Sequence, residues 1–223
     1  MLYVMSDFHL SNSAAKPMDK FGPEWVDHAN KIKYNWPLTE EDIIVMPGDF
    51  SWALRLEELT PDLEWLEALP GKKILTKGNH DTWWATAKKL KLLEEKYPSI
   101  RFLHNESIEI DGISICVAKG YNVDLDTDEA KKLLNRESIR LDLSLSKAKT
   151  DKKVVVMHYP PISPTHMSSV FSDIMEKHKV LKCYYGHLHG KAQCSKIEGD
   201  VRGVEYALIS SDYLKQMPIE IKI

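Results

Sequence analysis

Five short clusters in this chain gather residues that ligate metals or move protons: Asp7-Phe8-His9, Gly48-Asp49, Gly78-Asn79-His80-Asp81, His158-Tyr159-Pro160-Pro161 and Gly186-His187-Leu188-His189. Imidazole suits zinc, iron, nickel and copper, whereas carboxylate and amide oxygen suit magnesium and manganese, so the mixed set points to transition ions. Asp7, His9, Asp49, Asn79, His158, His187 and His189 are more ligands than one tetrahedral or octahedral ion uses. Two ions sharing a bridging carboxylate account for them better. Held roughly 3.5–4 Å apart, such a pair forms the clamp used in phosphoryl chemistry.

Each cluster directly follows a run that reads as a buried strand: Leu2 to Met5, Ile43 to Met46, Lys73 to Thr76, Val154 to Met157 and Lys182 to Tyr185. Longer helical patterns separate these runs, at Pro23 to Tyr34, Leu56 to Leu69, Trp83 to Tyr97, Asp126 to Lys149 and Ser168 to Lys179. That alternation is the signature of a sheet covered by helices. In such α/β sheets ligands bind beyond the carboxyl ends of the strands, so five polar tips can converge on one site. Ser107 to Ile110 and Ile113 to Val117 flank Asp111-Gly112, a two-residue hairpin turn. A second hairpin is expected to join Ala192 to Ile197 with Val204 to Ile209, and Ile219 to Ile223 alternates as an edge strand does. The loosest stretch, residues 11–22, follows the first strand, where a functional loop belongs.

The composition sets outer bounds. With 223 residues, 43% hydrophobic and 28% charged, the chain reads as one globular domain over 1–223. Thirty basic residues against 33 acidic leave a net charge of −3, which argues against non-specific binding to nucleic acid or anionic membranes. No stretch approaches the roughly 20 apolar residues of a membrane span. Cys116, Cys183 and Cys194 are odd in number and lack metal-ribbon spacing. With no secretory leader read at the N-terminus, the expected compartment is the cytoplasm.

Taken in order, the series D-x-H, G-D, G-N-H-D, H and G-H-x-H resembles the calcineurin-like metallophosphoesterases over Asp7 to His189. The resemblance implies an α/β fold, a four-layer sandwich of two mixed β-sheets flanked by helices. It implies a dinuclear centre with Asp7, His9, Asp49 and His189 on one metal and Asp49, Asn79, His158 and His187 on the other, Asp49 bridging. The expected ions are manganese, iron or zinc. It further implies hydrolysis of a phosphomonoester or phosphodiester by attack of a metal-bridging hydroxide, on a substrate expected to be a small molecule. His80 matches the histidine that protonates the leaving oxygen, and Asp81 the acid that holds its ring. Lys16-Pro17-Met18-Asp19, Gly22-Pro23 and Trp83-Trp84 look most like small bacterial phosphohydrolases of that family. One departure is that Gly48-Asp49 continues Phe50-Ser51-Trp52, where many relatives carry a second acid or Asn; this bears on the wall of the site. Two other readings share the fold. A non-catalytic protein-binding scaffold would lack the histidine after Asn, and His80 is present; a nuclease fits poorly with the acidic balance.

Around the motifs, Trp52, Trp83 and Trp84 have two readings, a stacking wall for the organic part of a substrate or core that seals the site from below. Arg55 and Tyr159 either contact the phosphate ester or are ordinary surface and packing residues. Asp124, Asp126 and Asp128 mimic a calcium loop, but Glu129 stands where glycine is required. Asp126 with Glu129 reads better as the cap of the long helix.

Overall fold

The computed structural model describes residues 1–14 and 16–223, so the expected loop over 11–22 is described except for Ala15. Its strands are β1 (Leu2–Val4), β2 (Ile43–Pro47), β3 (Lys72–Thr76), β4 (Ile100–Phe102), β5 (Ser107–Ile110), β6 (Ile113–Ala118), β7 (Lys153–Met157), β8 (Lys182–Tyr185), β9 (Gly199–Val201), β10 (Val204–Leu208) and β11 (Ile219–Glu220). The helices are α1 (His28–Tyr34), α2 (Thr60–Glu67), α3 (Ala87–Lys96), α4 (Asp128–Ser146) and α5 (Val170–Lys177). One sheet has the order β11-β1-β2-β3-β4 and the other β5-β6-β7-β8-β10-β9. Both are mixed: the central strands run parallel, while β11, β5 and β9 pair antiparallel at the edges.

Parallel strands covered on both faces must be apolar throughout, and Val154, Val155, Val156 and Met157 of β7 are fully buried. The two sheets pack through Leu2, Val4, Val45 and Ile74 against Ile115, Val117, Val154 and Val156. Ile32, Leu63, Leu66 and Leu90 from α1, α2 and α3 cover the outer face of the first sheet. Leu141, Leu145, Phe171 and Met175 from α4 and α5 cover the second. The result is the expected four-layer sandwich. Beyond the strand ends the sheets are tied together, since Ser6 bridges to Ser210 and its N–H donates to the Ile209 carbonyl at 2.9 Å.

Several boundaries differ from expectation for local reasons. The pattern from Pro23 splits into a short 3-10 turn and α1, because Asp27 adopts a left-handed φ of 54° between them. The helix expected from Trp83 starts only at Ala87. Trp83 is buried instead, its indole N–H donating to Asp81 at 3.1 Å. The cap of α4 is Thr127, whose hydroxyl accepts from the Ala130 N–H, whereas Asp126 pairs with Lys131 at 2.8 Å. Ser169 caps α5 in a reciprocal box with Ser172. Residues 190–195 form a 3-10 turn rather than a hairpin strand. The hairpin partner of β10 is β9, joined through Arg202-Gly203 with φ of 56° and 81°. Two consecutive positive φ values are what the twist of a two-residue hairpin demands, and Asp111-Gly112 supplies the same at the first hairpin.

Candidate metal centre

All five clusters lie beyond the carboxyl ends of β1, β2, β3, β7 and β8, on one rim of the sandwich. The chain turns back sharply there. Asp7, His9, Asp49 and His187 all have positive φ, 61°, 47°, 52° and 72°. Such backbone is uncommon for residues with a side chain and costs on the order of 1–3 kcal/mol each, so the surrounding bonds must impose it. The motif glycines make room for this crowding. A Cβ on Gly78 would overlap the Asp49 carboxylate, and one on Gly186 would overlap Ser6 and the Asp7 carboxylate.

Two groups of ligand atoms result, Asp7 with His9 and His189, and Asp49 with His158 and His187. Asp7 Oδ1 stands 3.2 Å from His189 Nε2, 3.8 Å from His158 Nδ1 and 4.0 Å from His9 Nε2. Asp49 Oδ2 lies between the groups, 3.4 Å from His158 Nε2 and 3.8 Å from His9 Nε2. Asn79 joins the second group, with its Oδ1 2.6 Å from His158 Nε2.

The donor set itself suits cations. His158 Nδ1 lies 3.1 Å from the Pro47 carbonyl and donates to it, which leaves a lone pair on Nε2. That lone pair faces three more acceptors: Asn79 Oδ1, Asp49 Oδ2 and, at 3.2 Å, His187 Nδ1 in its unprotonated form. His189 is braced in the same way. Its Nδ1 donates to Asp212 Oδ1 at 2.9 Å, and its Nε2 faces Asp7 Oδ1 and, at 3.3 Å, His9 Nε2. Asp7 Oδ1 and His9 Nδ1 are buried without a hydrogen-bond partner among the described residues. Buried acceptors facing acceptors are costly unless a positive ion lies between them, so these residues fit a divalent pair.

Electrostatics agree. Burial holds His158 down to about 4 and, with the neighbouring His158, His187 down to about 3, which keeps both imidazoles in the neutral form that binds metal. Burial and the nearby Asp7 charge push Asp49 up to about 7. Two carboxylates in so small a volume resist sharing negative charge until cations enter. Burial opposes a charge on His189, but Asp7 and Asp212 outweigh it and raise its pKa to about 10, so without metal its Nε2 carries a proton toward Asp7 that a bound cation would replace.

His80 borders the centre: its N–H donates to Asp49 Oδ1 at 2.8 Å, and its ring lies 5.8 Å from that of His9. Asp81 differs from expectation. Its Oδ2 accepts from the N–H groups of Gly78 at 2.7 Å and Asp49 at 2.8 Å, while Oδ1 accepts from Phe50 at 3.0 Å and from Trp83. Both oxygens are thus committed to shaping the Gly48 and Gly78 turns, and the carboxylate makes no hydrogen bond to the His80 ring. Trp52 does reach the site, stacked on His9 at 4.8 Å and 20°. Tyr159 covers His187, with ring centroids 4.3 Å apart. Trp83 is core and Trp84 packs on Phe102 and His104, so of the two readings these take the second. Arg55 is exposed and does not line the cleft beside the centre.

That cleft, of about 420 Å³, opens on His9, His80 and His189 and is walled by Lys16, Phe21, Trp25 and Trp52. Asp212 and Trp25 escaped the sequence reading. Trp25 has no motif around it, whereas Asp212 had a usable signal: Ser210-Ser211-Asp212 is a sixth polar tip, just beyond β10. Ser211 anchors this tip by donating its hydroxyl to the Asp7 carbonyl at 2.7 Å.

The calcineurin-like phosphoesterase family matches residues 2–191 of the chain. No curated protein matches it. Among solved structures, a protein of unknown function from Aquifex aeolicus is similar, at 19% identity over 98% of this chain and 94% of that one, with a TM-score of 0.53. A phosphopantetheinyl hydrolase from Mycobacterium tuberculosis is also similar, at 15% identity over 94% of this chain and 88% of that one, with a TM-score of 0.56. At these identities the likeness concerns the fold alone.

Proposed function

The chain belongs to the calcineurin-like phosphoesterase family and is a metal-dependent phosphohydrolase; from that premise we propose how its residues divide the work and what they act on. Asp7, His9, Asp49 and His189 would hold one divalent ion, and Asp49, Asn79, His158 and His187 a second. Manganese, iron or zinc suits this mixture of imidazole, carboxylate and amide. When bound, the two ions would lower the pKa of a coordinated water and neutralise charge on the phosphoryl oxygens.

The protein's own side chains do the rest. Asp212 and the Pro47 carbonyl fix the tautomers of His189 and His158, so that both rings present a lone pair inward. Asp49 positions His80 through its backbone N–H. Burial and the Lys16 charge hold the His80 ring down to about 4, so to act as a proton donor it would need the negative charge of a bound phosphate beside it. The protonated ring then donates to the leaving oxygen. Asp81 acts one step back, by fixing the two turns that carry Asp49 and His80. Tyr159, shielding His187, limits water on the far side of the centre.

The substrate is a small phosphoester, monoester or diester, entering beside His80. Three free cysteines suit a reducing, cytoplasmic setting. No helix among the described residues is long and apolar enough to cross a membrane.

The observation that carries this reading is the pair of adjoining ligand groups with Asp49 between them. The test is to strip metal from the protein and add back manganese, iron, zinc or magnesium. Turnover is then measured on matched aryl phosphate monoesters and diesters, and bound metal by elemental analysis. Two ions per chain and turnover with at least one metal are expected. Failure with all four metals, or saturation at one ion per chain, would sink the proposal.

A further inference from the structure

The loop carrying Lys16, Met18 and Phe21 has no part in holding metal, yet it forms a wall of the cleft on the His80 side. Lys16 is exposed, and its Nζ sits 3.0 Å from the centroid of the Trp52 ring. That ring is the only partner found for its ammonium among the described residues. Trp52 is itself fixed in place. It is 9% exposed, stacks on His9, lies 4.4 Å from the His80 ring and donates its indole N–H to Met18 Sδ at 3.0 Å. One indole therefore links a metal ligand, the proposed proton donor and a lysine with unused hydrogen-bonding capacity.

An ammonium has three donors, and an aromatic face satisfies none of them as a carboxylate or phosphate would. The contact holds the charge at the cleft mouth and leaves its N–H groups available. Around it the lining is largely apolar: Phe21 is 58% exposed at the rim, and Trp25 and Met18 are buried behind. Lys191 brings a second positive charge to the same cleft. Because His80 is the proposed proton donor to the leaving oxygen, the leaving alcohol occupies this side.

We propose that Lys16, presented on the face of Trp52, binds a second anionic group on the leaving alcohol. The substrate is then a phosphoester of an alcohol with an apolar or aromatic body and a carboxylate or phosphate of its own. This rests on the reading of the site as a phosphohydrolase, and deepens it by naming the substrate class. Lys16 is a specificity residue here, and Trp52 positions it.

The test compares phenyl phosphate with 4-carboxyphenyl phosphate as substrates, and benzylphosphonate with 4-carboxybenzylphosphonate as non-hydrolysable ligands titrated calorimetrically into the metal-loaded protein. Wild-type, Lys16→Met and Lys20→Met proteins are measured. Methionine keeps most of the apolar stem and removes the charge. Lys20 is an exposed lysine of the same loop outside the cleft lining. In the wild type the carboxylated ligand should bind about 10- to 100-fold more tightly, the size of one charge-assisted hydrogen bond. Lys16→Met should erase most of that ratio, in binding and in kcat/KM, while Lys20→Met retains it. Comparing ratios between proteins cancels the intrinsic reactivity of the two esters.

Two results overturn the inference: no wild-type preference for the carboxylated ligand, or an equal loss on both ligands in Lys16→Met, which would mean that Lys16 reads the scissile phosphoryl group. Binding preference without turnover of either ester would fault the hydrolase reading, and with it the substrate class, while upholding Lys16 as the anion contact. Turnover without preference would fault this one alone.

Discussion

The two ligand groups are alike in composition and unlike in setting. Asp7, His9 and His189 stand at the open side, where His9 and His189 line the cleft of about 420 Å³. Asp49, His158 and His187 stand behind Tyr159, where His187 borders a cavity of only about 110 Å³. The braces differ too. His158 is fully buried and leans on a backbone carbonyl, that of Pro47, whereas His189 leans on a side chain, that of Asp212. A backbone brace cannot be lost by substitution or moved by charge; a side-chain brace can be both. In the proposed scheme the second group would then serve as part of the frame, and the first as the adjustable half that meets the substrate.

The largest expected effect comes from the residue proposed to serve both halves. Asp49→Ala removes the carboxylate between His158 and His9 and frees the His80 N–H from its acceptor. Loss of both ions and of measurable turnover is expected, by elemental analysis and by assay of an aryl phosphate. Asp49→Asn keeps the shape and the amide acceptor but not the charge, so it should retain the fold and still fail to hold two ions. Full metal content in both variants would show that the two groups do not depend on a shared ligand.

Next in size is His80, which touches the open half but ligates neither ion in the proposed scheme. His80→Ala should lower kcat by about 10²- to 10⁴-fold, the range for loss of a general acid. Two ions per chain should remain. Measured together, kcat and metal content separate proton transfer from metal holding; a drop to one ion would place His80 among the ligands instead.

How much of this was legible in the sequence depends on distance along the chain. Ligand clusters such as Gly186-His187-Leu188-His189 announce themselves, because a local turn suffices to bring their side chains into one place. The buried strands were equally plain, since a run such as Val154-Val155-Val156-Met157 has few other places to go. Strand β4 was missed because Ile100–Phe102 is three residues long and acquires strand geometry only from pairing with β3. The role of Asp81 depends likewise on distant partners. The resemblance implies that Asp81 holds the His80 ring, but the turn points its carboxylate at the backbone of Asp49 and Phe50, more than 30 residues away in sequence. Asp212 lies 23 residues beyond His189, and no spacing rule links them; their meeting depends on β10 pairing with β8 and ending at the same rim.

Asp212 also gives the smallest and most discriminating prediction. Its Oδ1 holds His189 Nδ1, while Oδ2 accepts from the Gly190 N–H at 3.0 Å and the Gln193 amide at 2.8 Å. Replacing it by Ala frees the His189 ring and loosens the turn that follows. Outer carboxylates of this kind are worth about 10- to 100-fold in metal affinity. Asp212→Ala should therefore weaken one of the two binding steps in a calorimetric titration by that factor and leave the other near its wild-type value. Asp212→Asn retains an acceptor for the ring N–H without the charge, so its loss should be smaller than that of Ala. An unequal response of the two ions is what separate braces require. If both steps weakened together, the two ligand groups would act as one cooperative unit, and the division into frame and adjustable half would be wrong.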